Sequence, residues 1–233
     1  MGASLSRRQP MEVGRFGIGR DELPALEAGP VDLAAWFARA DDPEAARRPI
    51  DLEIGSGKGT FLVRQAAARP GVNHLGVEYA KAYWRYTADR VRRHGLENVR
   101  VVHAEAGAFV RWHLPDASIR QVHIYFPDPW PKKRHHKRRL IQARFLRELW
   151  RVLAPPREGD TECGQVRIAT DHADYFAWIE KAAAAVSDIY ERRPFEPPAA
   201  ADEGEWVGTN YELKFREVHT VQGLILRKVD GPR

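Results

Sequence analysis

The stretch DLEIGSGKG, residues 51–59, runs from a predicted strand into a turn with glycines at Gly55, Gly57 and Gly59. Glycine adopts positive φ without steric cost and lets a ligand lie against bare backbone. In proteins that alternate strands and helices, such a turn connects a strand of a parallel sheet to the following helix. The stretch therefore predicts an α/β fold with a ligand site at this turn.

Two common ligands do not fit the spacing of the turn. A phosphate-binding Walker loop requires glycine and Ser or Thr where Leu52 and Gly59 stand. The dinucleotide fingerprint requires its third glycine where Thr60 stands. S-adenosylmethionine remains, because it carries no phosphate and needs backbone contacts and carboxylates.

Three consecutive predicted strands each end in an acidic residue. Glu53 precedes the turn, where it can meet the ligand's ammonium group or hold the turn itself. Glu78 closes the second strand, where a carboxylate commonly accepts hydrogen bonds from ribose hydroxyls, and Glu105 could accept one from the adenine amino group. Each alone could be a solvated loop carboxylate, but together they favour a cofactor site.

From Ile50 onward the sequence repeats strand, turn and helix, which is typical of a mostly parallel sheet. The predicted strands are Ile50–Ile54, His74–Glu78, Val99–His103, Val122–Phe126, Gln165–Ala169 and Gly223–Lys228. The predicted helices are Val31–Ala40, Thr60–Arg69, Lys81–His94, Arg138–Leu153 and His172–Val186. Residues 154–164 and 194–205 are predicted to be polar loops.

The most unusual segment is VHIYFPDPWPKKRHHKRR, residues 122–139. Its apolar start predicts a buried strand, and the prolines that follow end that strand beside Asp128 and Trp130. The next eight residues, 132–139, contain six Lys or Arg and two His. A carboxylate and an indole next to a cationic surface indicate chemistry on a base that is carried by a polyanion.

Composition limits the possible classes of protein. The chain has 233 residues and a formal net charge of +5, so one core is expected, with residues 1–49 as an arm and short helix and residues 50–233 as the main domain. Residues 1–29 lack periodicity and are predicted to be a mobile arm or a disordered tail. The single cysteine, Cys163, excludes a disulfide framework and fits a reducing compartment. With neither a membrane-length apolar run nor a signal core, a cytoplasmic protein is expected.

Five segments together resemble the tRNA (guanine-N7)-methyltransferase family, the bacterial single-subunit type. They are LEIGSGKG at 52–59, LGVE at 75–78, FPDPWPKKRHHKRRL at 126–140, ATD at 169–171 and TNYE at 209–212. The resemblance implies a class I methyltransferase fold, a Rossmann-like three-layer sandwich with a mostly parallel sheet and an antiparallel C-terminal strand. It also implies methyl transfer from S-adenosylmethionine to N7 of the variable-loop guanine of tRNA.

The resemblance assigns roles to individual residues. The expected cofactor-binding residues are Glu53, Gly55, Gly57, Glu78, Glu105 and Asp128, and Asp128 is also the expected catalytic residue. The expected substrate-binding residues are Lys132, Asp171, Thr209, Asn210, Tyr211 and Glu212. The expected contacts to the tRNA backbone are Lys133, Arg134, Lys137, Arg138 and Arg139. Glu105 departs from the family, which more often has Asp at this position, and the loop at 154–164 is longer than usual.

The residues themselves are compatible with this chemistry and leave simpler alternatives open. Guanine N7 carries a lone pair and no proton, so its methylation needs no general base. Asp128 could recognise the base or stabilise its charge, or it could only form a turn. Trp130 could support, by stacking, a base that has left its stack in the tRNA, or it could be a core residue. Asp171 could be a helix cap, and Thr209 with Glu212 could be a capping box at the start of a helix over 209–218.

The expected partners follow from this interpretation. They are S-adenosylmethionine and tRNA, with no metal, no membrane and no obligatory protein partner, for a monomer or a homodimer. His135 and His136 are adjacent and lack further metal ligands. Two alternatives remain open: a class I methyltransferase that acts on another RNA base, and a non-catalytic RNA-binding protein on the same scaffold.

Overall fold

A computed structural model describes residues 11–199, 201–209, 211–212 and 220–229 of the chain. The predicted contact of Asn210 and most of the predicted helix at 209–218 lie outside these residues. Among the described residues, no helix combines the length and the apolar character that crossing a membrane requires.

Within the described residues, eight strands form one sheet. They are β1 (Gly17–Ile18), β2 (Ile50–Ile54), β3 (Asn73–Glu78), β4 (Val99–His103), β5 (Gln121–Tyr125), β6 (Gln165–Thr170), β7 (Tyr190–Pro194) and β8 (Gln222–Lys228). Their order across the sheet is β1-β4-β3-β2-β5-β6-β8-β7. The strands from β1 to β6 pair in parallel, whereas β8 is antiparallel to both β6 and β7. The mostly parallel sheet with an antiparallel C-terminal strand is confirmed.

Helices connect these strands. The α-helices are α1 (Leu33–Phe37), α2 (Thr60–Ala68), α3 (Lys81–Arg93), α4 (Ala106–His113), α5 (Ala143–Val152) and α6 (Ala173–Ala184). The short 3₁₀ helices are Gly14–Phe16, Arg20–Glu22, Leu26–Ala28, Ala45–Arg47 and Lys133–Arg138.

The core lies against both faces of the sheet. Every residue of β2 and β5 is buried, which is typical of central parallel strands covered on both sides. One large cluster includes residues of α1, α4, α5 and α6, and a second includes Leu62 and Val63 of α2 and Trp84 and Val91 of α3. In α5, Phe145, Leu149 and Val152 recur at helical spacing on the buried side. The result is the predicted three-layer arrangement.

Three predictions about secondary structure were wrong or incomplete. Residues 11–29 do not form a free arm, because Phe16 is buried and Gly17–Ile18 pairs with β4. The sequence did not predict α4 or β7. The helix predicted from Arg138 begins only at Ala143, since the preceding residues form a separate 3₁₀ helix.

Candidate active site

The parallel strands deliver their carboxyl ends to one edge of the sheet. Glu53 and Glu78 lie at the ends of neighbouring strands β2 and β3, which pair in register through Ile54 and Val77. Asp128 follows β5 and Asp171 follows β6. Ligands of open α/β sheets bind at this edge, so the predicted acidic residues are brought to the expected region.

The glycines of the turn serve two different purposes. Gly55 has φ +79°, and a Cβ added there would meet no atom within 4 Å. Gly57 has φ +53°, and a Cβ there would be 4.0 Å from the carbonyl oxygen of Gly55. At Gly59, by contrast, a Cβ would come within 2.4 Å of Thr87 on α3. Gly59 therefore permits close packing, whereas Gly55 and Gly57 leave backbone open to a ligand.

Glu78 ties the end of β3 to this turn. Its Oε2 accepts a hydrogen bond from the N–H of Gly57 at 2.8 Å, and its Oε1 accepts one from the N–H of Ala80 at 2.7 Å. Each carboxylate oxygen can accept a second hydrogen bond. Glu78 can therefore hold the turn and still receive ribose hydroxyls, which remains a prediction.

Glu53 is buried, and no hydrogen bond to a described residue offsets the burial of its Oε2. Burial, and next the negative charge of Glu78, raise the pKa of Glu53 to about 8. A positively charged group placed here would offset both effects. The ammonium group of S-adenosylmethionine is such a group, so Glu53 and the open glycine turn fit this cofactor.

A cavity of about 340 Å³ opens at this point of the edge. Its lining combines the glycine turn with aromatic and hydroxyl groups from α2, α3, the end of β5, Thr209 and Tyr211. The lining residues are Glu53, Gly55, Ser56, Gly57, Lys58, Thr60, Phe61, Tyr83, Tyr125, Phe126, Thr209 and Tyr211. A polar turn that faces aromatic rings suits a nucleoside-like ligand.

Glu212 holds the residues at 206–209 in place through several hydrogen bonds. The backbone N–H groups of Val207 and Gly208 each donate to Glu212 Oε2 at 2.9 Å, and that of Trp206 donates to Oε1. The predicted cap is present, because the N–H of Glu212 donates to Thr209 Oγ1 at 3.1 Å. Glu212 is nearly fully buried, so this placement does not support its prediction as a direct substrate contact. Its carboxylate instead organises the loop that brings Thr209 and Tyr211 to the cavity.

Asp128 lies outside this lining. It is exposed, two residues beyond Phe126, and Lys132 is exposed as well. Asp171 is half-buried, and its Oδ2 accepts a hydrogen bond from the Tyr211 hydroxyl at 3.1 Å. Asp171 is thus linked to the cavity through Tyr211, and Asp128 stands at the rim of the sheet edge.

Glu105 does not join the other acidic residues, because it caps a helix and lines a different cavity. It caps α4, where its carboxylate accepts hydrogen bonds from the N–H groups of Gly107 at 2.9 Å and Ala108 at 2.7 Å. It lines a different cavity, together with Arg111 and Trp112. The structure therefore does not bring Glu105 into the cavity of Glu53, and its predicted adenine contact is not supported by this placement.

The predicted basic patch has five members on the surface. Lys132, Lys133, Arg134, Lys137 and Arg138 are exposed on or beside the 3₁₀ helix Lys133–Arg138. We call these five residues the basic patch. Their clustering on one short helix suits contacts to phosphates of RNA.

Arg139 is not part of that patch, so its placement does not support the predicted contact to the tRNA backbone. Its side chain is 1% exposed, its Nε donates to the carbonyl oxygen of Pro129 at 2.8 Å, and it pairs with Asp174. Its guanidinium lies 5.0 Å from the ring centroid of Tyr175 and 5.2 Å from that of Trp178. Arg139 thus anchors the loop after β5 to α6.

The ring of Trp130 contacts two side chains of the adjoining 3₁₀ helix. The guanidinium of Arg138 lies 5.1 Å from its ring centroid, and the ring of His135 approaches edge-on at 5.8 Å. The residue is half-buried and does not line the cavity with Glu53. The predicted stacking of a base on Trp130 is not supported by this placement.

Apart from Tyr211, sequence reasoning missed the aromatic residues of the cavity. Phe126 belongs to the unusual segment after β5, but its ring was assigned to the strand. Tyr83 is 47% exposed on α3, one position before the buried Trp84. An aromatic residue on the polar face of a predicted helix was a usable signal in the sequence.

Comparisons with known proteins agree with this geometry. A family described as "Putative methyltransferase" matches residues 47–219. A tRNA (guanine-N(7)-)-methyltransferase of Alkalilimnicola ehrlichii is 37% identical over 98% of this chain and 90% of its own length. One of Halorhodospira halophila is 39% identical over 91% of this chain and 84% of its own length.

Solved structures support the fold. The 16S rRNA methyltransferase KamB has a TM-score of 0.53 at 16% identity and covers 79% of this chain and 88% of its own. The aminoglycoside resistance methyltransferase NpmB1 has a TM-score of 0.52 at 16% identity, with 78% and 88% covered. At this identity the likeness extends to the fold alone.

Proposed function

Because the chain belongs to the tRNA (guanine-N(7)-)-methyltransferase family, we infer that it transfers a methyl group from S-adenosylmethionine to N7 of a guanine in tRNA. The products are 7-methylguanosine in the tRNA and S-adenosylhomocysteine. The strongest structural support is the unpaired, buried carboxylate of Glu53 beside the open backbone of Gly55, at the edge where the parallel strands end.

The turn and the acidic residues beside it would hold the cofactor. Glu53 would pair with the ammonium group, and the exposed backbone of Gly55 and Gly57 would lie against the ligand. Glu78 would accept the ribose hydroxyls with its remaining lone pairs. Bound in this way, the cofactor supplies an electrophilic methyl group on a sulfonium.

The reaction is a displacement at carbon. N7 forms the new N–C bond with its lone pair, while the electron pair of the broken C–S bond stays on sulfur. No proton moves, so the protein needs no general base. Positioning of the two reactants is then the main contribution, and it can supply on the order of 7–11 kcal/mol.

We assign Asp128 the task of holding the base and balancing its charge. Its exposed carboxylate at the end of β5 can accept hydrogen bonds from N1 and the exocyclic amine of guanine. The same negative charge favours the cationic ring that methylation produces. Asp128→Ala should therefore reduce transfer at least a hundredfold, with tRNA affinity changed about twofold or less; a near-normal rate would contradict this role.

The basic patch would bind the tRNA backbone. Its five cations lie four to ten residues beyond Asp128 along the chain, so phosphates bound there would bring a base toward the sheet edge. A base inside folded tRNA must leave its stack to reach an enzyme cavity. We propose the variable-loop guanine as that base, with the enzyme acting in the cytoplasm as a monomer or homodimer that needs no other protein.

Product mapping tests the proposed function. The protein is incubated with unmodified tRNA and methyl-labelled cofactor, and the tRNA is then cleaved chemically at 7-methylguanosine. Label in the tRNA together with cleavage at one guanine is the expected result. Label without cleavage would indicate another base atom, and failure to bind S-adenosylhomocysteine in calorimetry would indicate a non-catalytic RNA-binding protein.

A further inference from the structure

The backbone of Phe126 adopts a conformation that phenylalanine rarely has. Its φ is +52°, directly after β5, while its N–H still donates to the carbonyl oxygen of Ala169 at 2.8 Å. Bulky residues at positive φ are genuine outliers, and such strain concentrates at functional sites. The ring of Phe126 lines the same cavity as Glu53 and Gly55. The strained residue thus contributes an aromatic wall to the candidate active site.

A second ring adjoins Phe126 in this wall. The ring centroid of Tyr211 is 5.0 Å from that of Phe126, with 33° between the planes. Tyr211 lines the cavity and is 42% exposed. Its hydroxyl donates to Asp171 Oδ2 at 3.1 Å, which fixes the ring's position from β6. Two aromatic rings from different parts of the chain therefore form one surface, which we call the aromatic wall.

The proposed reaction changes the charge of the base. Before transfer the purine is neutral; after N7 forms its bond to the methyl carbon and the C–S bond breaks, the purine carries the positive charge that the sulfonium had. Faces of aromatic rings attract cations. A phenol that donates to a carboxylate is richer in electrons than a free phenol, so Asp171 strengthens this attraction at Tyr211.

Trp130 is less suited to this role. The guanidinium of Arg138 already lies 5.1 Å from its ring centroid. A second cation at that face would be repelled by the first.

We propose that Phe126 and Tyr211 form the surface on which the target guanine stacks, and that this surface favours the methylated, cationic purine over the neutral one. The inference rests on the proposed function and adds a means of stabilising the transition state. Asp171 is a positioning residue in this scheme, since it acts on the base through the Tyr211 hydroxyl.

Equilibrium binding of tRNA tests the proposal without relying on turnover. The affinity of the full-length protein, saturated with S-adenosylhomocysteine, is measured for tRNA with and without 7-methylguanosine at the mapped position. We expect the wild-type protein to bind the methylated tRNA roughly two- to thirtyfold more tightly. Phe126→Leu and Tyr211→Leu should each bring this ratio toward one.

Conservative variants distinguish the loss of an aromatic contact to the cationic base from a general loss of folding. Phe126→Tyr keeps an aromatic ring at the same strained position and should retain the ratio. Tyr211→Phe keeps the ring but loses the bond to Asp171, so it should fold normally and lower the ratio by a smaller step. Tyr86→Leu, which removes a similarly exposed tyrosine outside the cavity, should leave the ratio unchanged.

Two results would overturn the proposal. One is that the wild-type protein binds methylated and unmethylated tRNA equally tightly. The other is that Phe126→Leu, Tyr211→Leu and Tyr211→Phe all keep the affinity ratio of the wild-type protein. If the wild-type protein neither binds S-adenosylhomocysteine nor methylates tRNA, the proposed function itself fails. Normal methylation with an unaffected ratio would reject only the aromatic wall.

Discussion

The N–H of Gly57 donates to Glu78 Oε2 at 2.8 Å, which joins the glycine turn after β2 to the carboxyl end of β3. The other oxygen of Glu78 holds the N–H of Ala80 at the start of α3. One buried carboxylate therefore fixes two segments that would face the cofactor in the proposed site. Such bonds to an ionised acceptor are stronger than neutral ones.

Glu78→Ala should weaken cofactor binding at least tenfold, because the turn loses its tie and the ribose loses an acceptor. Calorimetry with S-adenosylhomocysteine measures this change. Glu97→Ala, on the loop before β4, is a control that should bind normally. Unchanged affinity in Glu78→Ala would contradict the assignment.

Glu53 should make stability depend on pH in a definite direction. Its pKa is raised from 4.5 in the unfolded chain to about 8 in the folded protein, by burial and then by Glu78. With respect to this group, the folded protein therefore has its full stability below pH 4.5, and it loses that stability as pH rises toward 8. Glu53→Gln stays neutral, so its stability relative to wild type should increase over this window, by on the order of 3 kcal/mol at pH 7.

Thermal unfolding of both proteins between pH 4.5 and 8 checks this expectation. The exposed Glu203 provides the control, since Glu203→Gln should show a constant small difference from wild type. A pH-independent difference for Glu53→Gln would mean that Glu53 is not protonated in the folded protein.

Substitutions of the neighbours Arg138 and Arg139 are expected to affect different properties, tRNA binding for Arg138 and stability for Arg139. Arg139→Ala removes a buried guanidinium that contacts Pro129 and Asp174, so it should destabilise the protein by about 2–4 kcal/mol. Arg138→Ala removes an exposed side chain and should change stability by about 0.5 kcal/mol or less while weakening tRNA binding. Chemical denaturation compares the two, and equal losses of stability would contradict the burial of Arg139.

The basic patch should be visible in the salt dependence of tRNA binding. If its five cations all meet phosphates, the slope of log affinity against log salt should be roughly −3.5 to −4.5. Replacing Lys133 and Lys137 together by Gln should reduce its magnitude by about 1.5. Lys181→Gln, an exposed cation on α6, should not alter the slope. A slope near zero would argue against the patch as the tRNA contact.

The sequence predicted the central strands well, because their pattern is local. The bounds of β2 and of β4 agree residue for residue with the prediction, since each is short, rich in Ile, Leu or Val, and followed by a turn. Buried strands of a parallel sheet carry this signal without help from distant residues. The same holds for Glu53 and Gly55, whose places follow from the end of β2.

The missed elements depend on partners that are distant in sequence. Gly17–Ile18 is a strand only because it pairs with Val101 and Val102 of β4. β7 is mostly exposed and ends in proline, so it lacks the alternation that would identify it. Its pairing with β8 determines its conformation.

The site predictions that the structure does not support concern side chains with two possible uses. Glu105 was predicted as a cofactor ligand, but its carboxylate is engaged as the cap of α4. Arg139 was counted with its charged neighbours, yet it turns inward onto aromatic rings of α6. Which way a charged residue faces depends on tertiary packing, and the charge run by itself contains no such information.

Methyl transfer to a modified substrate tests the account most directly. In a tRNA transcript made with 7-deazaguanosine, each N7 is replaced by C–H, so the lone pair that attacks the methyl group is absent. We predict that this transcript competes with ordinary tRNA for binding to within a fewfold and accepts no methyl label. Label incorporated at the rate of ordinary tRNA would contradict transfer to N7 and the site described for it.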